Sequence, residues 1–415
     1  MRSETTTGGR EATVAIVPGK FALSVGMPRL PSARGFSWRP LSSLARLESG
    51  HTPSRANPEY WDGDIPWVGI RDATHNHGSA IMDTLQHTTA LGISNSSARI
   101  LPAGTVCLSR TASVGYVVIM GRSMATSQDF VNWVCGAELS PSYLRYLLMA
   151  EQDSVRRFAF GSVHQTMYYP DAKAFHVCVP KRAEQEAIAS VLGALDDKIS
   201  ANSEIVRTLG ELGRAHWAAM PREVETSLTA LARFVNGKAF TKGASGTGRV
   251  VIRIAELNSG LGGSTVYSDI EVADDHLARP GDLLFAWSGS LTVHRWYRPE
   301  AIVNQHIFKV IPMDQPIWLV HQALLDRLDQ FRAIAADKAT TMGHIQRRHL
   351  EEQVSVPTPE VVGRKDELMS GLWDLALNAE RENLTLAELR DTLLPALMSG
   401  RLRVKDAEKQ VEDAV

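Results

Sequence analysis

The chain has 415 residues, a formal net charge of −2, 44% hydrophobic residues and 22% charged residues. It is therefore long enough for two or three domains with their own cores, and its near-neutral charge excludes a uniformly basic nucleic-acid-binding protein, although a balanced domain can still carry a basic face. No apolar run approaches the roughly 18 residues of a membrane helix, and the first residues lack the apolar core of a signal peptide. We expect a cytoplasmic protein with no membrane contact.

The N-terminal segment, residues 1–36, is rich in Thr, Gly, Pro and Ser. This composition predicts a disordered extension, so that Met27 is a second candidate for the start of the protein. Residues 37–180 alternate short apolar runs with turn residues and contain one helical pattern that begins at Pro141. They predict a first α/β domain.

After this first domain, residues 181–220 carry apolar residues at steps of four and three, which is a heptad pattern. The predicted seam of this central helix consists of Ile188, Leu192, Leu195 and Ile199. Asn202 stands at the next seam position, where a buried polar residue often fixes the register of paired helices. A long helix that is polar except for one apolar seam needs a partner helix, because the seam must be buried.

Residues 221–357 repeat the first domain. Residues 104–109 align with 281–286, residues 126–131 with 303–308, and residues 177–180 with 354–357, all at an offset of 177. Three collinear blocks at one offset predict two copies of one unit. The second copy also ends in a heptad helix, residues 358–404, and we expect residues 405–415 to form a flexible tail. The predicted seam of this distal helix consists of Leu368, Leu372, Leu375, Leu386 and Leu389, with Glu382 as its polar position.

The fold class is therefore an α/β (α+β) tandem repeat, with two globular domains separated by two long helices that pair as an antiparallel coiled coil. Two helices of about 35 residues would each extend roughly 50 Å. The three cysteines, Cys107, Cys135 and Cys178, lack metal-ligand spacing and are expected to be buried thiols.

The search for catalytic residues identifies none. The segment 57–60 resembles the Asn-Pro-Pro-Tyr box of adenine methyltransferases, but Glu59 replaces the second proline and no glycine-rich cofactor turn follows a strand. Asp171, Asp196 and Lys198 formally match a metal-dependent nuclease pattern. However, Asp196 and Lys198 lie within the heptad helix and are expected on its solvent side. We expect neither a catalytic site nor a metal site.

Four blocks together resemble the specificity subunit of type I restriction-modification enzymes. They are Trp38 to Pro53, Tyr60 to Trp67, the central helix from Glu184 to Asn202, and the closing segment from Leu389 to Leu402. The resemblance covers about residues 37–404. One departure is that the second copy has no counterpart of the Gly63-to-Trp67 segment.

The resemblance implies two target recognition domains that each read one half of a bipartite double-stranded DNA site, with the helices setting the gap. It also implies two methylation subunits and two restriction subunits as partners, which supply S-adenosylmethionine, ATP and Mg²⁺ chemistry. The chain itself would bind no cofactor and would not be an enzyme. The alternative is a tandem adaptor that binds proteins rather than DNA.

Base reading requires Arg, Asn, Gln, Ser or Thr side chains on loops, with Lys and Arg against phosphates. We predict eleven DNA contacts, among which Arg110 and Ser288 are preferred because they follow equivalent strands. The predicted DNA-contact residues are Arg71, Arg110, Thr111, Ser113, Gln165, Lys238, Lys242, Arg253, Ser288, Arg347 and Arg348.

Overall fold

The computed structural model describes residues 16–111, 113–159, 165–337 and 343–413. The chain divides into two compact units, of which the first comprises Met1–Asp196 with Glu388–Val415 and the second comprises Asp197–Ala387. Each unit therefore contains one globular head and a section of each of two long helices. The predicted α/β tandem repeat is confirmed.

The first head contains twelve strands and six short helices within the described residues. Its strands are β1 (Val17–Pro18), β2 (Leu23–Val25), β3 (Ser37–Pro40), β4 (Ala45–Ser49), β5 (Trp61–Val68), β6 (Ser79–Ile81), β7 (His87–Thr88), β8 (Val106–Ser109), β9 (Val117–Met120), β10 (Ala125–Thr126), β11 (Phe130–Cys135) and β12 (Phe175–Val179). Its helices are α1 (Leu41–Leu44), α2 (Ile70–His75), α3 (Ala90–Ser94), α4 (Pro141–Ala150), α5 (Gln152–Phe158) and α6 (Tyr169–Lys173).

Three sheets build the first head, with strand orders β1-β2-β12-β3, β10-β5-β7 and β4-β11-β8-β9-β6. The predicted helix at Pro141 forms because Ser140 caps it, accepting a bond from the Tyr143 amide, and because Pro141 at the first turn needs no hydrogen-bond acceptor. Tyr143 and Leu147 on α4 are fully buried. The helix thus closes one side of the core.

The prediction that residues 1–36 are disordered is wrong for the described part of this segment. Residues 1–15 lie outside the described residues, but β1 and β2 form a hairpin, and β2 pairs with β12 from Phe175 to Val177. The fully buried carboxylate of Glu151 accepts hydrogen bonds from the amides of residues 20–23. Because these hydrogen bonds join residues that are far apart in the chain, the local composition of residues 1–36 gave no sign of them.

The second head repeats this plan. Its strands are β13 (Val224–Ser227), β14 (Ala232–Asn236), β15 (Arg249–Ile252), β16 (Val266–Ser268), β17 (Leu277–Ala278), β18 (Leu283–Ala286), β19 (Thr292–Arg295), β20 (Ala301–Val303), β21 (Ile307–Pro312) and β22 (Gln353–Val356). The sheets have the orders β13-β22, β14-β21-β18-β19 and β16-β15-β20-β17. The antiparallel series β4-β11-β8-β9 corresponds to β14-β21-β18-β19, and the parallel pair β5–β10 corresponds to β15–β20.

The two long helices are α7 (Arg182–Ala218) and α11 (Pro359–Met398). Between them in the chain, the second head contains α8 (Leu228–Leu231), α9 (Ile254–Ser259) and α10 (Ile317–Asp337). The prediction of a flexible tail is wrong for residues 405–412, which belong to α12 (Val404–Glu412), a helix that buries Ala407.

Within the second unit, α7 and α11 pair in antiparallel fashion. Asn383 donates to the carbonyl of Ile199 and to Ser203 at 3.2 Å. Further along α7, Leu209 and Gly213 line one cavity with residues 369–376 of α11. Residue numbers thus rise on one helix as they fall on the other.

The seam differs from its prediction in the distal helix. Among the predicted seam residues, Ile188, Leu192, Leu195 and Leu386 are buried, while Ile199, Leu372 and Leu389 are half-buried. The prediction is wrong for Leu368 and Leu375, which are 41% and 59% exposed.

The residues that are buried instead are each next in sequence, Met369 and Ala376, together with Trp373. Both sets satisfy a heptad, because residues 368, 372 and 375 and residues 369, 373 and 376 follow the same steps of four and three, displaced by one residue. The ring of Trp373 packs against His321 and Arg295 of the second head. This packing selects the helix face that is buried.

Candidate nucleic-acid interface

In the first head, four chain segments meet in what we call the first loop cluster, residues 50–52, 109–111, 126–129 and 165–167. The Arg110 amide donates to the carbonyl of Asp129 at 2.7 Å, and the Met167 amide donates to the carbonyl of Arg110 at 2.8 Å. The His51 amide donates to the carbonyl of Thr126 at 2.9 Å. Backbone bonds thus hold four loops in a fixed arrangement.

The Arg110 side chain braces this cluster. Its Nε donates to the carbonyl of Gln128 at 3.0 Å and its Nη1 to the carbonyl of Met167 at 3.3 Å. Burial lowers the pKa of Arg110, and the nearby carboxylate of Asp129 opposes that shift. Asp129 is itself held by the hydroxyls of Thr111 and Ser127.

The second head contains an equivalent second loop cluster, residues 237–238, 286–288, 303–306 and 343–345. Here the Trp287 amide donates to the carbonyl of His306 and the Ile345 amide to the carbonyl of Trp287, both at 3.1 Å. Trp287 takes the place of Arg110: its indole nitrogen donates to Asn236 at 2.8 Å, and its ring centroid lies 5.2 Å from that of His306. The two clusters therefore share their backbone hydrogen bonds, whereas the side chain that supports the loops is an arginine in one and a tryptophan in the other.

A glycine makes the same close approach in each cluster. A Cβ on Gly50 would lie 2.0 Å from the carbonyl oxygen of Ser127, and a Cβ on Gly237 would lie 2.1 Å from that of Asn304. Any larger residue would separate these loops. Both copies of the repeat therefore require a glycine at this position.

Some of the residues predicted to contact DNA lie together at these loop clusters. Six of them lie in or beside a loop cluster, namely Arg110, Thr111, Ser113, Gln165, Lys238 and Ser288. Arg347 and Arg348 follow the second cluster and are exposed in a short 3₁₀ turn. Arg71 and Lys242 are exposed outside the clusters as defined.

Arg253 immediately precedes α9, at its N-cap position, and its side chain is held by hydrogen bonds within the second head. Its guanidinium donates to Glu256 and to the carbonyl of Ser264, both at 2.6 Å. The hydrogen bonds that Arg253 donates to the carboxylate of Glu256 raise the pKa of Arg253. Which of the eleven residues contact DNA stays a prediction.

The sequence pattern that suggested a metal-dependent nuclease has other surroundings in the structure. Within the described residues, no three His, Cys, Asp or Glu side chains are grouped so as to hold a metal ion. The prediction that Asp196 lies on the solvent side of its helix is wrong: the side chain is 22% exposed and accepts hydrogen bonds from Tyr146 at 2.6 Å and Arg390 at 2.9 Å. Lys198 forms an ion pair with Glu382 at 3.3 Å.

The three cysteines are free thiols, and two of them are buried. Burial raises the pKa of Cys178 to about 11 and that of Cys135 to about 12, and it raises the pKa of Cys107 further. Thiols with raised pKa values are poor nucleophiles at neutral pH. Among the described helices, none combines the length and the apolar character required to cross a membrane.

The fold thus defines a class of tandem-repeat proteins that contain two heads of similar topology, each with a braced cluster of loops, and two long helices. Residues 34–209 match the model of the "Type I restriction modification DNA specificity domain". The chain is 22% identical to the MjaIX specificity subunit of Methanocaldococcus jannaschii over 88% of its own length and 93% of that protein. It is 30% identical to the HindI specificity subunit of Haemophilus influenzae over 30% of its length and 26% of that protein.

The fold is similar to that of the type I restriction-modification S subunit from M. genitalium, with a TM-score of 0.56, 18% identity, and coverage of 89% of this chain and 98% of that one. Residues 34–209 are thus similar to a type I restriction-modification DNA specificity domain, and most of the chain is similar to a type I restriction enzyme specificity subunit.

Proposed function

We propose that this subunit reads a bipartite site on double-stranded DNA, with each loop cluster contacting one half-site. The observation that carries the proposal is the shared backbone plan of the two clusters combined with their different side chains. A shared backbone scaffold presents both surfaces in the same way, and unlike side chains at equivalent positions suit them to unlike sequences.

We further propose that the chain itself is not catalytic and that partner subunits modify and cleave the DNA. Two methylation subunits would bring S-adenosylmethionine for adenine methylation, and two restriction subunits would bring ATP and Mg²⁺ for cleavage. The hydrogen bonds of Asp196 and the high pKa values of the thiols support this division of labour, because they occupy or deactivate the groups that could have been catalytic.

The exposed apolar residues of the long helices are the proposed docking surface for the methylation subunits. Leu368 and Leu375 lie seven residues apart on α11, and Ile205 and Leu212 lie seven residues apart on α7. Side chains at this spacing share one helix face. Because these four residues are 41–59% exposed, a partner that covers them removes apolar surface from water.

The test is to assemble the chain with its methylation subunit and map methylated bases on random DNA. The proposal expects a consensus of two short half-sites separated by a fixed unspecified gap, and no methylation or cleavage by the chain alone. Exchanging the first head for that of a related subunit should change one half-site only. Methylation without a bipartite consensus contradicts the proposal and favours the adaptor alternative.

A further inference from the structure

One exposed side chain is the same in both loop clusters. Gln128 in the first cluster and Gln305 in the second stand at equivalent positions of the 177-residue repeat. Each follows a buried residue, Ser127 at 1% and Asn304 at 5% exposure, and each is itself exposed. Most other positions around them differ between the heads.

The backbone that carries Gln128 is held from three sides. The carbonyl of Gln128 accepts the bond from Arg110, the Ser127 amide donates to the carbonyl of Val68 at 3.0 Å, and Gly50 packs against the carbonyl of Ser127. The Thr52 hydroxyl also donates to Oε1 of Gln128. This bond orients the amide, while Nε2 keeps its two donors and Oε1 keeps a second lone pair.

Gln305 is held in a similar way. Its amide donates to the carbonyl of Lys238 at 2.9 Å, and the neighbouring Asn304 amide donates to the carbonyl of Ile252 at 3.2 Å. His306, the next residue, has a φ of 72°, in the left-handed region that non-glycine residues rarely adopt. Strained backbone of this kind persists where surrounding structure enforces it, often at a ligand-contacting site.

From this equivalence we infer that Gln128 and Gln305 each contact an adenine of an A·T pair in the major groove, one in each half-site. The inference rests on the proposed function. A glutamine amide has an acceptor and a donor side by side, which match N6 and N7 of adenine. A shared reader on a shared scaffold means that the two half-sites, otherwise different, have one A·T pair at the same place relative to each head.

The test uses the whole chain assembled with its methylation subunit, with methylation rates measured on duplexes that vary one base pair at a time. Gln128→Ala should relax the requirement for A·T at a single position of one half-site, and Gln305→Ala should do so in the other. The expected loss of discrimination is roughly 5- to 150-fold, equivalent to about 1–3 kcal/mol. The remaining positions should keep their preferences.

A second pair of variants distinguishes base reading from a structural role. Gln128→Glu and Gln305→Glu preserve size but replace the amide donor with an acceptor, so the preferred base at that position should shift from adenine toward cytosine, whose N4 is a donor. A variant that only disturbed the loop would not acquire a new preference. Gln410→Ala on α12 and Gln353→Ala on β22 remove exposed glutamines outside the clusters and should leave the consensus unchanged.

An unchanged consensus in the cluster variants, or equal relaxation at every position of a half-site, overturns the inference. The native complex separates this failure from that of the proposed function. If the native complex has a bipartite consensus that the glutamine variants do not alter, only the inference fails. If the native complex has no bipartite consensus, the proposed function fails as well.

Discussion

Asn202 on α7 donates from Nδ2 to Oε2 of Glu382 on α11 at 2.7 Å. Both residues interrupt the apolar heptads of their helices, and the two interruptions meet. Asn202 is 2% exposed, so its amide has little access to water. Glu382 also pairs with Lys198 through its other oxygen. A polar pair of this kind disfavours other registers, because sliding either helix would bury an unpaired polar group.

Removing one partner should therefore destabilise the chain more than removing both. Glu382→Leu leaves the buried Asn202 donor unpaired and should lower the free energy of unfolding by about 1–3 kcal/mol. Adding Asn202→Leu should recover most of that loss. Urea unfolding of the single and double variants measures the coupling, with Glu388→Leu, at an exposed position of α11, as the control. Additive effects would contradict the finding.

Asp196 should be a stabilising residue rather than a metal ligand. Asp196→Asn weakens its bonds to Arg390 and Tyr146, and we expect a loss of about 1.5–3 kcal/mol in unfolding free energy. Mg²⁺-dependent cleavage by the assembled complex should persist at temperatures where the variant is folded. Asp197→Asn, at the exposed neighbouring position, is the control. Abolished cleavage with unchanged stability would revive the nuclease hypothesis.

The N-terminal hairpin should contribute to the stability of the first head through Glu151. Glu151→Gln replaces a buried carboxylate that accepts several amide bonds, so we expect a loss of about 3 kcal/mol. A chain begun at Met27 removes the donors and should lose at least as much. Thermal or urea unfolding measures both. Asp153→Asn changes an 80% exposed carboxylate nearby and should have little effect; equal stability of the Met1 and Met27 chains would contradict the prediction.

The second unit should lose stability in mild acid because of His321. This side chain lines a cavity of about 250 Å³ beside Arg295 and Trp373. Burial, reinforced by Arg295, lowers the pKa of His321 to about 3, whereas the unfolded chain titrates near 6.5. Between these values the unfolded chain binds more protons, so the unfolding free energy should fall as the pH falls from 6.5 toward 3.

The slope is at most about 1.4 kcal/mol per pH unit, and access of water to the cavity reduces it. Unfolding in urea at pH 6.5 and pH 5.5 gives the difference, which His321→Gln should diminish. His75→Gln, which removes an exposed imidazole from the first head, should leave it unchanged. An identical pH dependence in the native chain and His321→Gln would refute the assignment.

The exposed leucines of α11 should matter for assembly and not for folding. Leu375→Lys places a charge at a position that is 59% exposed, so the free energy of unfolding should change by less than about 0.5 kcal/mol. Binding of the methylation subunit should weaken about tenfold or more, as expected for a residue at the centre of an apolar contact. Calorimetric titration measures the affinity. Ala376→Lys, next in sequence but buried, should instead lower stability.

Local periodicity and the internal repeat were sufficient to predict two α/β heads, two long helices and the boundary of α7 near residues 181–220. These features depend on short-range patterns: turn residues between apolar runs, a capped helix at Pro141, and heptads that continue for several turns. The repeat also aligned Gln128 with Gln305. Their exposure within a braced cluster required the structure, which explains why neither was among the predicted DNA contacts.

Tertiary contacts decided what local pattern left open. Residues 368–376 allow two heptad phases, one through 368, 372 and 375 and one through 369, 373 and 376, and the packing of Trp373 against the second head selects the second, which exposes Leu368 and Leu375. The N-terminal hairpin is held by Glu151, about 130 residues away in the chain. The sequence by itself determined which elements form, because that depends on neighbours in the chain; which faces and loops meet depends on partners that only folding brings into contact.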